Sequence, residues 1–193
     1  MKKIPFKIKN TQDTRGFTII ETLVAISILL ISTTGPLSFA QNGLKASFLA
    51  RDQVTAFYLA QDAIETIKNL RDNTQLEIAA GIKSADTGWL RGLGDCESNS
   101  STDIAVCNFD KAGTSIETTT CNPSTGCSPL QYDAESRQFV LPPGGTDSKY
   151  TRTIYVTEIK SDQEAQIIVE VKWDSSFLTG KRIIVQENIY KKY

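Results

Sequence analysis

The apolar positions of this chain change their spacing twice. From Phe17 to about Thr34 they run almost unbroken, and no charge occurs from Thr22 to Leu44. As a helix, Phe17–Thr34 would span roughly 27 Å, close to the ~30 Å hydrocarbon core of a bilayer. Gly35-Pro36 and then Gly43 break the run. A proline removes a backbone donor and crowds the preceding turn, which predicts a kink or an unwound patch near residues 32–36. From about Ala46 to Arg71 the apolar positions return at helical spacing. Ala56, Ala60, Ala63, Ile67 and Leu70 recur at intervals of three or four, with Val54, Phe57 and Ile64 beside them. Arg51, Asp52, Asp62, Glu65 and Lys68 supply a polar side, so the apolar stripe must pack on the rest of the chain.

Between about Asn73 and Ser128 the composition shifts to Gly, Ser, Thr, Asn and Asp. Runs such as 96–103 and 121–127 are rich in turn formers, which predicts a long irregular region anchored by Trp89, Leu90 and Leu93. The last third alternates instead. Arg137–Leu141 stops at Pro142-Pro143-Gly144-Gly145, and Tyr150–Ile159 places Ile154 and Val156 on one face and Tyr155 on the other. In Ala165–Trp173, Ile167, Val169, Val171 and Trp173 point one way while Gln166, Glu170 and Lys172 point the other. A turn near residues 177–180 leads to Lys181–Tyr190, where Ile183, Val185 and Ile189 alternate. Short connections make these strands antiparallel neighbours, with their buried face on the Ala46–Arg71 helix. The predicted class is α+β: a long N-terminal helix, part membrane-spanning and part amphipathic, packed against a C-terminal antiparallel sheet.

Charge adds a direction. Lys2, Lys3, Lys7, Lys9 and Arg15 all precede the apolar run, which keeps the N-terminus in the cytoplasm and sends everything after about residue 41 outside. Glu21 is the odd residue. A carboxylate at the bilayer centre costs about 2.5–3.5 kcal/mol, and less near an edge.

Gly16-Phe17-Thr18-Ile19-Ile20-Glu21, with a basic leader before it and a long apolar run after it, resembles the processing site of type IV pilins and type II secretion pseudopilins. The resemblance implies that a membrane-embedded prepilin peptidase cuts between Gly16 and Phe17 and methylates the new amine of Phe17. It divides the chain into a leader (1–16, removed), a transmembrane and assembly helix (17–40) and an extracytoplasmic pilin domain (41–193). That domain comprises a helix (46–72), a disulfide-pinned loop region (73–128) and a sheet (129–193). Cleavage would leave an ammonium at Phe17, a second charge poorly tolerated in lipid. When helices pack side by side, the amine of an incoming subunit and the Glu21 of one already in place can neutralise each other and set axial register. The implied partners are the peptidase, other pilin subunits and an inner-membrane assembly platform. The implied location is the cytoplasmic membrane, single-pass, and then a surface pilus. The stretch Tyr58–Asp72 is also similar to the helix of minor pilins of the PilV kind, although core packing alone explains its apolar residues. Two other fates fit the same N-terminus. A secretory signal would be cut after Ser38-Phe39-Ala40, before Gln41, and a signal anchor would stay uncut and tether a binding module.

The totals narrow the function further. Of 193 residues, 177 remain after the leader, and about 150 lie beyond the membrane segment, enough for one domain. The leader takes five of the 21 basic residues and one of the 22 acidic ones, leaving 16 against 21, a balance of −5. With no basic cluster after Arg15, general nucleic-acid binding is not expected. The chain has no histidine, so the commonest general base and metal ligand are both missing. No motif pairs two carboxylates and no Gly-rich phosphate loop occurs. Enzyme is therefore the weakest class, and no cofactor is implied. Cys96, Cys107, Cys121 and Cys127 all fall on the outer side and read as two disulfides. Three pairings are possible. Sequential pairing closes two short loops and is preferred, whereas the spacings lack the close pairs usual in a four-thiolate zinc site. The reading is a structural filament subunit of the minor pilin type, with a type II secretion pseudopilin or a DNA-uptake pilus subunit as the alternative.

Overall fold

The computed structural model describes residues 16–84, 88–90, 92–93, 96, 107–112, 115–122, 126–175 and 178–191. The basic leader residues, most of the 96–103 run and the centre of the 121–127 loop lie outside them. The chain divides into two units, Met1–Ala46 and Ser47–Tyr193. Helix α1 (Ile19–Ala79) has residues in both.

In the first unit α1 is uninterrupted through Gly35 and Pro36. The predicted unwound patch is absent. One proline costs a single backbone bond, and the turns on either side hold their own ladder. The hydroxyls nearby donate to carbonyls one turn earlier: Ser32 Oγ to Leu29 O (2.9 Å), Thr33 Oγ1 to Leu29 O (3.0 Å) and Thr34 Oγ1 to Ile31 O (2.9 Å). Every residue from Gly16 to Phe48 is exposed, the apolar ones included.

In the second unit α1 buries one side. Ala56, Leu59, Ala60, Ala63, Ile64 and Ile67 enter the core, and Leu70 packs against it. Val54 and Phe57, expected beside that stripe, are exposed. The helix continues beyond residue 72 to Ala79 and ends in a two-bond glycine cap. Gly81, at φ 69°, donates to Ile78 O (3.0 Å), and Ile82 donates to Glu77 O (2.9 Å). These bonds satisfy carbonyls that have no partner within the helix, and the positive φ suits a residue without a Cβ.

The main sheet has five antiparallel strands in the order β2-β1-β6-β7-β8. They are β1 (Cys107–Ala112), β2 (Ser115–Thr120), β6 (Tyr150–Lys160), β7 (Glu164–Trp173) and β8 (Lys181–Tyr190). A smaller sheet, ordered β4-β3-β5, is built from β3 (Gln131–Asp133), β4 (Gln138–Val140) and β5 (Thr146–Asp147). The β1–β2 hairpin falls within the stretch expected to be irregular. Its Thr-rich second strand reads as loop composition, and only pairing, Cys107 opposite Thr120 through Ala112 opposite Ser115, makes it a strand. The meander β6–β7–β8 follows its alternation. Ala165, Ile167, Val169, Val171 and Trp173 are buried on β7, opposite Ile154 and Val156 of β6 and Ile183, Val185 and Ile189 of β8. Glu170, on the other face of β7, is buried as well, held by Lys172 (3.0 Å) and Arg182 (3.4 Å).

Polar links tie the helix of this unit to its sheet, among them Arg71 Nη1 donating to Tyr190 O (3.4 Å). Asp52 meets Lys149 Nζ (2.6 Å) and accepts from the Tyr150 hydroxyl (3.4 Å). Asp62 meets Arg152 (3.4 Å), and Lys68 meets Glu187 (2.6 Å). Burial, above all, pushes the Tyr150 phenol above its ordinary pKa, and the hydrogen bond to Glu187 raises that of Lys68. The cysteines are joined Cys96–Cys107 and Cys121–Cys127. The first bridge lies in the core beside Phe109, and each closes a short loop, restricting the unfolded chain.

Candidate processing and assembly site

The start of α1 explains why Gly16, Phe17 and Glu21 stand where they do. Gly16, Phe17 and Thr18 precede the helix, so the Gly16–Phe17 bond lies in non-helical backbone. Nothing lies within 4 Å of where a Cβ on Gly16 would sit, and Phe17 is 79 % exposed.

Thr18 sets the boundary. Its carbonyl accepts the first intrahelical bond, from Thr22 N–H (3.1 Å), and its Oγ1 accepts from Glu21 N–H (3.3 Å). This is an N-cap, with Glu21 at the third helical position, the residue order of a capping box. Glu21 also lies in the first turn, where the positive end of the helix dipole favours a carboxylate. The register of Glu21 relative to Phe17 thus follows from local backbone chemistry. Sequence reasoning singled out Gly16, Phe17 and Glu21 but passed over Thr18. The signal was present in Thr18-x-x-Glu21 ahead of an apolar run.

Beyond this turn the helix suits a solvent without water. Its apolar stretch is exposed, and α1 is the one helix among the described residues long and apolar enough to cross a membrane. In hydrocarbon every polar group needs an internal partner. The hydroxyls of Thr22 and Ser27 find theirs at Ile19 O and Leu23 O, both at 2.8 Å. The cysteines lie in the other unit, within disulfides. Among the described residues no three His, Cys, Asp or Glu side chains gather as a metal site.

Residues 12–35 match the family model described as the prokaryotic N-terminal methylation motif. The matched segment ends before the Tyr58–Asp72 stretch, so the finer likeness to PilV-type minor pilins draws no support from it. Comparison with curated proteins finds no match, and comparison with solved structures finds none. The motif, together with the apolar helix, suggests a type IV pilin-like or pseudopilin subunit, anchored in a membrane and handled by a prepilin peptidase and other pilins; the family that carries this motif is structural rather than enzymatic.

Proposed function

We propose that this chain is a minor structural subunit of a type IV pilus-like filament. Prepilin peptidase cuts between Gly16 and Phe17, the Phe17 amine is methylated, and the subunit waits in the cytoplasmic membrane with its Ser47–Tyr193 unit outside. Assembly packs the apolar surface of residues 17–40 against neighbouring helices. Glu21 of a seated subunit receives the Phe17 amine of the next, because two charges costly in lipid lose much of that cost as a pair. The observation that carries this reading is that the methylation motif, matched over residues 12–35, contains both the exposed Gly16–Phe17 pair and the Thr18-capped first turn bearing Glu21.

The test is mass spectrometry of the native N-terminus alongside sheared surface filaments. Methylated Phe17 is expected as the first residue. Glu21→Ala should leave that N-terminus intact while the subunit disappears from filaments. A native chain beginning at Met1 or Gln41 would overturn the processing step, and a Glu21→Ala subunit recovered in filaments at the wild-type level would remove the charge pair.

A further inference from the structure

The Ser47–Tyr193 unit has a half-open cavity of 430 Å³ between α1 and strands β1, β4 and β6. Its walls include Tyr58, Thr66, Phe109 and Phe139, and both Asp62 and Arg152 line it. Arg152 is only 4 % exposed, and its guanidinium is fixed on two sides. Nε donates to Asn108 Oδ1 (2.9 Å), Nη2 donates to the carbonyl of Phe109 (2.6 Å), and the plane lies 5.1 Å from the centre of the Phe109 ring. Nη1 reaches Asp62 Oδ2 at a looser 3.4 Å, and that carboxylate is 71 % exposed. A cation in a low-dielectric wall is thus met, on its cavity side, by a well-hydrated acid.

We infer that this cavity binds a carboxylate carried on a flat apolar body, with Arg152 as the receiving cation and Asp62 as the internal acid it displaces. The chemistry follows from the walls. A guanidinium held in place by its bonds to Asn108 and Phe109 presents Nη1 to the cavity in a fixed direction, which suits a carboxylate oxygen. Three aromatic side chains offer faces and edges to an apolar ring, and few polar groups are needed to orient it. The exchange of Asp62 for the ligand conserves charge at Arg152, so the buried cation is paired in both states. The proposal is independent of filament assembly.

The experiment uses the full chain in an uncharged detergent, with calorimetry and the Nε–H resonance of Arg152 as readouts. The probes are phenylacetate, N-acetyl-phenylalanine and the neutral phenylacetamide. At least one acid should bind and move the Arg152 resonance, while the amide leaves it still. Binding by phenylacetate points to a free acid as the source, and binding by N-acetyl-phenylalanine alone points to the carboxyl end of a peptide. Arg152→Gln would also remove the links to Asn108 and Phe109, so the decisive variant is Asp62→Asn. Its backbone carbonyl still accepts from Thr66 Oγ1, and its side chain faces solvent. Losing the competing acid should tighten the binding acid about threefold, the size of a released exposed ion pair. Unchanged or weaker binding in Asp62→Asn, equal shifts from the amide, or no binding by either acid would overturn the assignment.

Discussion

The two stretches of α1 meet their surroundings in opposite ways. From Ile19 to Ala46 the large apolar side chains are exposed on all sides, and the hydrogen bonds of the hydroxyls close within the helix. From Ser47 to Ala79 the apolar residues that matter lie on one side and are buried, with Ile64 and Ile67 at 0 % exposure, while Asp52, Asp62 and Lys68 reach across to strands. A helix surrounded by hydrocarbon or by sister helices has no use for a polar face. A helix covering a sheet needs one face for the core and another for water. The sequence of α1 changes character between these two stretches, as that of a helix meeting two different solvents would.

That contrast is most sharply tested by matched truncations. Ile64→Ala should destabilise the Ser47–Tyr193 unit by about 2–5 kcal/mol, because a cavity opens in a packed core. Ile28→Ala, the same change on the exposed stretch, should leave the denaturation midpoint of that unit where it was. Denaturant unfolding followed by Trp fluorescence reads both, and equal losses would erase the distinction.

A smaller effect is expected at the first turn. Thr18→Ala should cost about 1 kcal/mol locally by removing the N-cap, with Thr18→Ser retaining most of it. Hydrogen exchange at the Glu21 amide is the measurement, and protection unchanged in Thr18→Ala would dismiss the cap.

The smallest effect concerns the surface tie between helix and sheet. The hydrogen bond to Glu187 holds the Lys68 ammonium above its usual pKa of 10.5. A raised folded pKa means that the link contributes fully below 10.5 and is lost as pH climbs through the raised value. Tyr150, also raised, acts in the same direction above pH 10. Thermal unfolding of Glu187→Gln should fall less steeply than wild type through that alkaline range, and the two should run parallel near neutrality. Identical alkaline slopes would show the link to be idle.

The sequence by itself determined the features that repeat over short distances. The uncharged run after Glu21, the Ala56–Ile67 stripe and the alternation of β7 each reflect a solvent meeting successive residues at a fixed period, so each is readable locally. The Gly16–Glu21 motif was readable for the same reason: six adjacent residues carry it. Even the cap at Thr18 and the stop at Gly81 were written there, although neither was taken up. The tertiary structure alone decided the rest. Val54 and Phe57 stand beside the stripe in the sequence, yet they are exposed while Asp52, Ala56 and Leu59 around them are buried, because the turn of the helix against the sheet selects which residues face it. The β1–β2 hairpin exists because backbone pairing can make strands of a Thr-rich sequence with turn-like composition. Arg152 joins Asn108, 44 positions away, and Asp62, 90 positions away, around one cavity. Nothing periodic marks such a meeting, because the partners share a place in the fold and not a neighbourhood in the chain.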